Sequence, residues 1–342
     1  MTNAAFSAGK TDTILDVPGI KVGHAQDMNA LTGLTVVLAP DGAAVGADVR
    51  GGGSGTREIN LTYPGTTTDR VHAVVLSGGS AFGLDAAGGV MAWLEERGIG
   101  YDTGVALVPL VPQAILFDLG IGDSKVRPDQ AMAREACDNA TDDGALLAQG
   151  NCGAGCGATI GKLRKGRGAM KSGIGSASVS LENGFCVGAI VAVNALGDIY
   201  EDGRIIAGML DYADASAAEP VFADSSRCLL GMGALSCDAS TPAPGTNTTI
   251  GVVATNGDFT KAQCNKIASM GHNGMARAIR PVHTTMDGDL LYVLATGGMP
   301  ALVDVAGEMA AIAVERAIIK AVKAALPAGG LSSWHSFHFA GV

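Results

Sequence analysis

The chain has 342 residues, of which 47% are hydrophobic, 16% are charged and 50 are glycine. Its formal net charge is −10 and it contains no long basic run, so we expect no nucleic-acid partner. The N-terminus lacks an apolar segment behind a basic start, and no apolar run approaches the ~18 residues of a membrane span. We therefore expect a cytoplasmic, glycine-rich α/β protein without a membrane partner, and the low charge favours an oligomer.

Short apolar runs and helical patterns follow one another along the chain. The runs are bounded by Gly, Asp or Pro and predict strands, whereas the longer periodic segments predict helices. No repeat of about 20 to 50 residues and no long linker divides the chain, so we expect a single folding unit over residues 1–342. In chain order we predict strand Leu34–Ala39, strand His72–Leu76, helix Ala81–Arg97, helix Pro128–Asn139, strand Val187–Asn194, strand Thr249–Thr255, helix Thr260–Ile279, strand Leu290–Ala295 and helix Ala301–Leu326.

A Pro- and Gly-rich segment leads into one of these strands. Pro242 and Pro244 exclude a helix interior and a central strand, so Asp238–Thr248 is predicted to be an exposed loop. If the bond between Asn247 and Thr248 breaks, the threonine gains an α-amine that titrates near pH ~7.7 to 8 and can accept the proton of its own hydroxyl. The alternative is an ordinary turn that feeds a strand.

A pair of acidic residues precedes the strand Leu290–Ala295. Asp287 and Asp289 flank Gly288; in an extended chain they face the same side, and in a turn both converge on one cation. Two carboxylates there are suited to hold the Thr248 amine and tune its pKa. The alternative is a solvent-exposed hairpin turn, because Asp-Gly is a strong turn signal.

Several ordered motifs together are more specific than any one of them. They occupy residues 75–84, 153–155 with 161–162, 193–194, 247–250 and 286–289. In this order they resemble the DmpA-type peptidases, a family of autoprocessing L-aminopeptidase/D-esterase/D-amidases, β-aminopeptidases and nylon-oligomer hydrolases. The resemblance extends over nearly the whole chain.

The resemblance implies a fold and an activity. The fold is a four-layer αββα sandwich of the DmpA/ornithine-acetyltransferase type, cleaved after Asn247 into an α chain (1–247) and a β chain (248–342) that assemble as a tetramer of αβ units. The activity is hydrolysis of amide bonds in short peptides or amino-acid amides, with 6-aminohexanoate oligomers as a candidate substrate, through a threonine acyl-enzyme and without metal or organic cofactor. The alternative is a family-like fold retained as a catalytically inactive binding protein.

The resemblance also implies site residues. The nucleophile corresponds to Thr248, and the amide that stabilises the oxyanion corresponds to Asn194. The acidic pair corresponds to Asp287 and Asp289, and its Asp-Gly-Asp form is closer to the nylon-oligomer hydrolase branch. Lys162 corresponds to a lysine of that branch, and its ammonium beside Asp287 is expected to assist maturation and turnover.

One position departs from the family pattern. Phe117 stands where some members have an active-site tyrosine, so the oxyanion must rely more on Asn194 or on backbone N–H groups. A glycine-rich turn before the first helix is expected to line the pocket through its backbone N–H groups, although its sequence does not match a G-x-S-x-G nucleophile elbow. The residues of this turn are Ser77, Gly78, Gly79 and Ser80.

Other local patterns are too weak to indicate a cofactor. Gly153-x-Gly155 follows no predicted strand, and Leu163 stands where a phosphate loop needs Ser or Thr. Cys152 and Cys156 lack the tighter pairing of a zinc site. We therefore expect neither nucleotide nor metal.

Overall fold

A computed structural model describes residues 6–164, 168–211, 220–234 and 246–338. Most of the predicted loop Asp238–Thr248 therefore lies outside the described residues. The helices are α1 Ala86–Glu95, α2 Gln130–Asp138, α3 Ser225–Ala234, α4 Lys261–Ala278, α5 Val303–Ala324 and α6 Trp334–His338. The strands are β1 Phe6–Ser7, β2 Lys21–Asp27, β3 Thr32–Val49, β4 Gly55–Arg57, β5 Arg70–Ser77, β6 Tyr101–Asp102, β7 Leu107–Val108, β8 Gln113–Ile115, β9 Thr159–Ile160, β10 Met170–Lys171, β11 Ile174–Leu181, β12 Cys186–Asn194, β13 Asp198–Glu201, β14 Arg204–Ala207, β15 Thr248–Gly257, β16 Ile279–Arg280 and β17 Leu290–Met299.

A large sheet organises the molecule. Its strand order is β1-β11-β12-β15-β17-β3-β5-β8-β4, with β2 paired to β3. The long strand β3 belongs to both halves, because its first part pairs with β2 and β5 whereas its last part pairs with β17. The pairing of β3 with β5 shifts register between Leu38 and Ala43, so the sheet changes direction within this strand.

Three buried apolar clusters fill the spaces between layers. Alternate residues of a strand point to opposite faces, so Val36 packs in the cluster with α1 and α2 while Val37 packs in a cluster between the two sheet halves. A third cluster joins the other half of the sheet, through residues such as Val191 and Val253, to α4 and α5. Helices, two sheet halves and helices thus form the predicted αββα layers.

Most predicted elements are confirmed with small changes at their ends, but the predicted strand Leu34–Ala39 is part of the much longer β3, Thr32–Val49. The predicted first helix divides into a 3₁₀ turn, Ser80–Asp85, and α1. Thr260 caps α4, and its side chain and that of Gln263 form a reciprocal capping box. Among the described helices, none combines the length and the apolar character that crossing a membrane requires.

Candidate active site

The site forms where strands of the large sheet end. Asn194, the last residue of β12, lies directly opposite Thr248, the first residue of β15. On its other side β15 runs parallel to β17, so that Ile250 is level with Leu290. The residue before Leu290 is Asp289, whose Oδ1 accepts a hydrogen bond from the Thr249 backbone N–H at 2.8 Å. Sheet pairing therefore brings three distant chain segments together.

The predicted nucleophile is buried and faces the carbonyl that precedes it. Asn247 and Thr248 expose 0% and 1% of their surface. The Thr248 hydroxyl donates a hydrogen bond to the Asn247 carbonyl oxygen, with 2.6 Å between the two oxygens. The Gly288 backbone N–H donates to the same oxygen at 2.7 Å. The junction is thus buried, and the Asn247 carbonyl oxygen has two donors directed at it.

The acidic pair is not a solvent-exposed hairpin turn, because Asp287 and Asp289 are each 1% exposed. Asp287 accepts hydrogen bonds from the Leu196 backbone N–H at 3.3 Å and from the Thr284 N–H and hydroxyl at 2.9 and 2.5 Å. The two carboxylates therefore bind different strand ends rather than one shared cation. Burial, reinforced by the charge of Asp289, raises the pKa of Asp287 to about 6.

Lys162 forms hydrogen bonds to the end of β12 and to the chain just before Thr248. Its Nζ donates to the Asn194 side-chain oxygen at 2.7 Å, to the Asn194 carbonyl at 3.0 Å and to the Thr246 carbonyl at 3.2 Å. Burial lowers the pKa of Lys162 to about 7, although Asp287, Asp118 and Asp289 act in the opposite direction. The ammonium thus links the chain before the nucleophile to the predicted oxyanion residue.

The amide of Asn194 has a fixed orientation. Its Oδ1 accepts from Lys162 and from the Thr159 backbone N–H at 3.1 Å, so its Nδ2 must face the other way. There it donates to the Phe117 carbonyl at 2.9 Å. Phe117 thus contacts Asn194 through its backbone carbonyl.

The glycine-rich turn is connected to the site through Asp118. Gly79 donates its N–H to Asp118 Oδ1 at 2.7 Å, and Asp118 follows Phe117 in the chain. Ser77 is fully buried, and its hydroxyl donates to the Gly78 carbonyl. Ser80 donates its N–H to the Leu116 carbonyl. Among the described contacts, the turn thus supports the 116–118 segment.

Sequence reasoning did not select several residues that contact this site, among them Gly288, Thr284, His283 and Thr159. Gly288 lies inside the recognised Asp-Gly-Asp motif, and Thr284 is three residues before Asp287, a spacing typical of local side-chain caps, so both had a detectable signal. His283, which donates to Asp289, and Thr159, which donates to Asn194, had none. Their roles depend on long-range packing or an unusual backbone conformation.

Comparison with known proteins identifies the family. The model of peptidase family S58 matches residues 12–334. The chain belongs to peptidase family S58. The resemblance to DmpA-type peptidases is thereby confirmed. An uncharacterized aminopeptidase of Mycobacterium leprae is 38% identical over 96% of this chain and 94% of its own. A 6-aminohexanoate-oligomer endohydrolase of Kocuria sp. is 33% identical over 86% of this chain and 79% of its own.

Solved structures confirm the fold of this S58 member. An L-aminopeptidase D-Ala-esterase/amidase of Ochrobactrum anthropi, described as a variant of the Ntn-hydrolase fold, superposes with a TM-score of 0.68, 20% identity and coverage of 95% of this chain and 89% of its own. A Burkholderia sp. β-aminopeptidase superposes with a TM-score of 0.66, 21% identity and coverage of 97% and 93%. The superpositions show that the chain has an Ntn-hydrolase fold, and its membership of peptidase family S58 places it among the hydrolases of the peptidase class.

Proposed function

We propose that the chain is a self-cleaving amidohydrolase in which Thr248 is first the nucleophile of maturation and then the nucleophile of turnover. The contact between the Thr248 hydroxyl and the Asn247 carbonyl, 2.6 Å between oxygens, is the observation that carries this proposal. A hydroxyl held against the carbonyl of the preceding residue is already close to the carbon that it must attack.

Maturation is an N-to-O acyl shift followed by hydrolysis. The Thr248 oxygen bonds to the Asn247 carbonyl carbon, and negative charge develops on the carbonyl oxygen. The C–N bond then breaks, the nitrogen takes the hydroxyl proton, and an ester joins the two residues. Water hydrolyses this ester, which releases the Asn247 carboxylate and restores the hydroxyl beside a free α-amine.

The Gly288 backbone N–H is suited to stabilise the oxyanion of maturation, because it already donates to the Asn247 oxygen at 2.7 Å. Asn194 has a different arrangement, with its Nδ2 bonded to the Phe117 carbonyl. An amide nitrogen carries two N–H groups, and we assign the second one to the oxyanion of turnover. Maturation and turnover thus depend on different donors.

Turnover repeats this chemistry on an external amide. The α-amine of Thr248 takes the hydroxyl proton as the hydroxyl oxygen bonds to the substrate carbonyl carbon. It passes that proton to the substrate's leaving amine as the C–N bond breaks, which leaves the acyl group as an ester on Thr248, and water then hydrolyses this ester and restores the hydroxyl. The names of the relatives favour short peptides and amino-acid amides with a free amine, including 6-aminohexanoate oligomers. The cleaved chains remain interleaved in the sheet, because β15 and β17 lie between β12 and β3. A tetramer of such αβ units in the cytoplasm stays a prediction.

Mass spectrometry of the purified protein tests the proposal. We expect two fragments, 1–247 and 248–342, together with hydrolysis within a panel of α-, β- and ω-amino acid amides. Thr248→Ala removes the attacking oxygen and is expected to stay intact and inactive, whereas Thr248→Ser keeps that oxygen and is expected to cleave. Cleavage of the Thr248→Ala chain after Asn247 would refute the proposal. An intact, folded wild-type chain without amidase activity would favour a binding protein instead.

A further inference from the structure

The carboxylate of Asp289 has a second partner that the mechanism above does not use. Its Oδ1 accepts from the Thr249 N–H, while its Oδ2 accepts from the His283 backbone N–H at 3.0 Å and from His283 Nδ1 at 2.8 Å. Because the Asp289 side chain is only 1% exposed, these bonds are shielded from water. The carboxylate therefore ties the residue after the nucleophile to a histidine.

The backbone and ring of His283 are both constrained. Its φ is 58°, in the left-handed region that is uncommon for residues other than glycine, although asparagine, aspartate and histidine adopt it more readily. Such a conformation persists where the surroundings fix it, and it is found more often at functional sites. The Nδ1 that faces Asp289 must carry a proton in order to donate.

A second histidine packs against the ring of His283. His272, on α4, packs edge-on against it with 4.7 Å between ring centroids, and its Nε2 bonds to the Asp48 carbonyl at 2.9 Å. Within the described residues, His283 Nε2 and His272 Nδ1 are buried without a hydrogen-bond partner. Asp289 faces the His283 ring directly, and Asp48 and Arg50 act on His272. Nδ1 faces the Asp289 carboxylate whereas Nε2 has no acceptor among the described residues, so the geometry favours the tautomer with its proton on Nδ1.

We propose that His283 is a positioning residue, whose Nδ1–H holds Asp289 so that Asp289 in turn holds the Thr249 amide and the mature N-terminal Thr248. This inference rests on the proposed function. Before cleavage the peptide bond to Asn247 also holds Thr248. After cleavage that bond is gone, and strand pairing together with the Asp289 hydrogen bond must orient the nucleophile. The histidine is therefore needed more in turnover than in maturation.

A matched pair of substitutions tests the side chain apart from the backbone. His283→Asn keeps a side-chain donor near Nδ1 and tolerates positive φ, whereas His283→Gly tolerates positive φ and keeps only the backbone N–H as a donor to Asp289. We expect both variants to cleave after Asn247. We expect His283→Asn to keep kcat within about threefold of wild type, and His283→Gly to lose about 10- to 100-fold in kcat with KM within about threefold, since small misplacements of a reacting group cost this much.

A remote histidine supplies the control for loss of a half-buried ring. His24 is also half-buried, with its Nδ1 bonded to the Thr35 hydroxyl at 2.9 Å, and His24→Asn should leave kcat within about twofold. If His283→Gly does not fold, His283→Asp replaces it, because it has the shape of Asn but directs an acceptor at Asp289. Equal kcat in the donor and non-donor variants, or a change confined to KM, would overturn this inference. A wild-type chain that neither cleaves nor hydrolyses amides would instead overturn the proposed function.

Discussion

Two lysines of this S58 peptidase, the half-buried Lys162 and the fully buried Lys171, differ in what surrounds them. In the nucleophile region, formed by Asn194, Thr248, Asp287, Asp289 and Lys162, the ammonium binds the predicted oxyanion residue and the carbonyl of Thr246. In the lysine pocket, Lys171 is fully buried, and its Nζ donates to the backbone carbonyls of residues 155, 158 and 172.

Burial lowers the pKa of both ammonium groups, to about 7 for Lys162 and about 8 for Lys171. A perturbed pKa therefore does not separate a reactive lysine from a structural one. The acceptors do separate them. Lys171 joins backbone carbonyls of a turn, whereas Lys162 is bonded to side-chain and backbone groups that flank the Asn247–Thr248 bond. We expect the first to contribute to stability and the second to rate.

The largest expected effect on self-cleavage comes from a glycine substitution in the nucleophile region. A Cβ on Gly288 would lie 2.7 Å from the Thr248 hydroxyl oxygen, so Gly288→Ala must rotate that hydroxyl away from the Asn247 carbonyl. We expect cleavage to slow by about 10³-fold, the upper range for losing one group that stabilises the transition state. The rate is measured by electrophoresis of freshly synthesised precursor.

The same substitution in the lysine pocket serves as the control. A Cβ on Gly155 would lie 2.2 Å from the Ile174 backbone nitrogen, an atom that cannot rotate away. We therefore expect Gly155→Ala to lower the urea midpoint of unfolding, and the folded fraction to cleave at close to the wild-type rate. Rapid cleavage by Gly288→Ala would show that the observed hydroxyl position is not the reactive one.

The sequence predicted the members of the nucleophile region better than their contacts. Thr248 and the acidic pair were selected because they occupy short motifs at predicted strand starts, whereas Asn194 was implied by the family resemblance. The motif did not reveal that Asp287 binds Leu196 while Asp289 binds Thr249, because these contacts depend on the register between β12, β15 and β17. Order along the chain predicts the strands, and their pairing is a property of the folded state.

Substitutions of the two lysines are expected to have the next largest effects, one on the self-cleavage rate and the other on the free energy of unfolding. Lys162→Met removes the cation that joins Asn194 to Thr246, and we expect self-cleavage to slow by about 10²-fold, as when reacting groups shift by about 1 Å. Lys171→Met leaves backbone carbonyls in the pocket without their donor, and we expect a loss of about 1–3 kcal/mol in the free energy of unfolding. Urea titration and cleavage kinetics of both variants check the comparison. The reverse pattern, with Lys171→Met slow to cleave but stable, would contradict it.

Lys171 itself shows what the sequence could not predict. Lys162 follows a glycine in a recognisable motif, whereas Lys171 lies in β10 between ordinary residues and was not selected. Its burial follows from the way in which the turn at Gly153–Gly155 folds back over residue 172. The αββα layers were likewise implied by the family resemblance and not by the strand pattern, because periodicity does not encode the register shift within β3.

The pH dependence of self-cleavage is the smallest expected effect and sharpens the comparison within the nucleophile region. The pKa of Asp287 is raised to about 6, so its carboxylate is ionised only above that pH. The pKa of Lys162 is lowered to about 7, so its ammonium persists only below that pH. If cleavage needs both charges, the rate peaks between about pH 6 and 7 and falls by up to about tenfold per unit on either side.

Folding stability and the cleavage rate are expected to depend on pH differently. Measuring both therefore distinguishes titration of the site from unfolding. Above pH 7 the unfolded chain retains a proton on Lys162 that the folded chain has lost, so this group's contribution to stability rises with pH while the rate falls. Below pH 6 the folded chain holds the extra proton on Asp287, so this group's contribution rises as pH falls. Lys162→Arg keeps its charge and should remove the alkaline limb, whereas Lys171→Arg should leave it in place. An alkaline limb that survives in Lys162→Arg would mean that another group controls the rate.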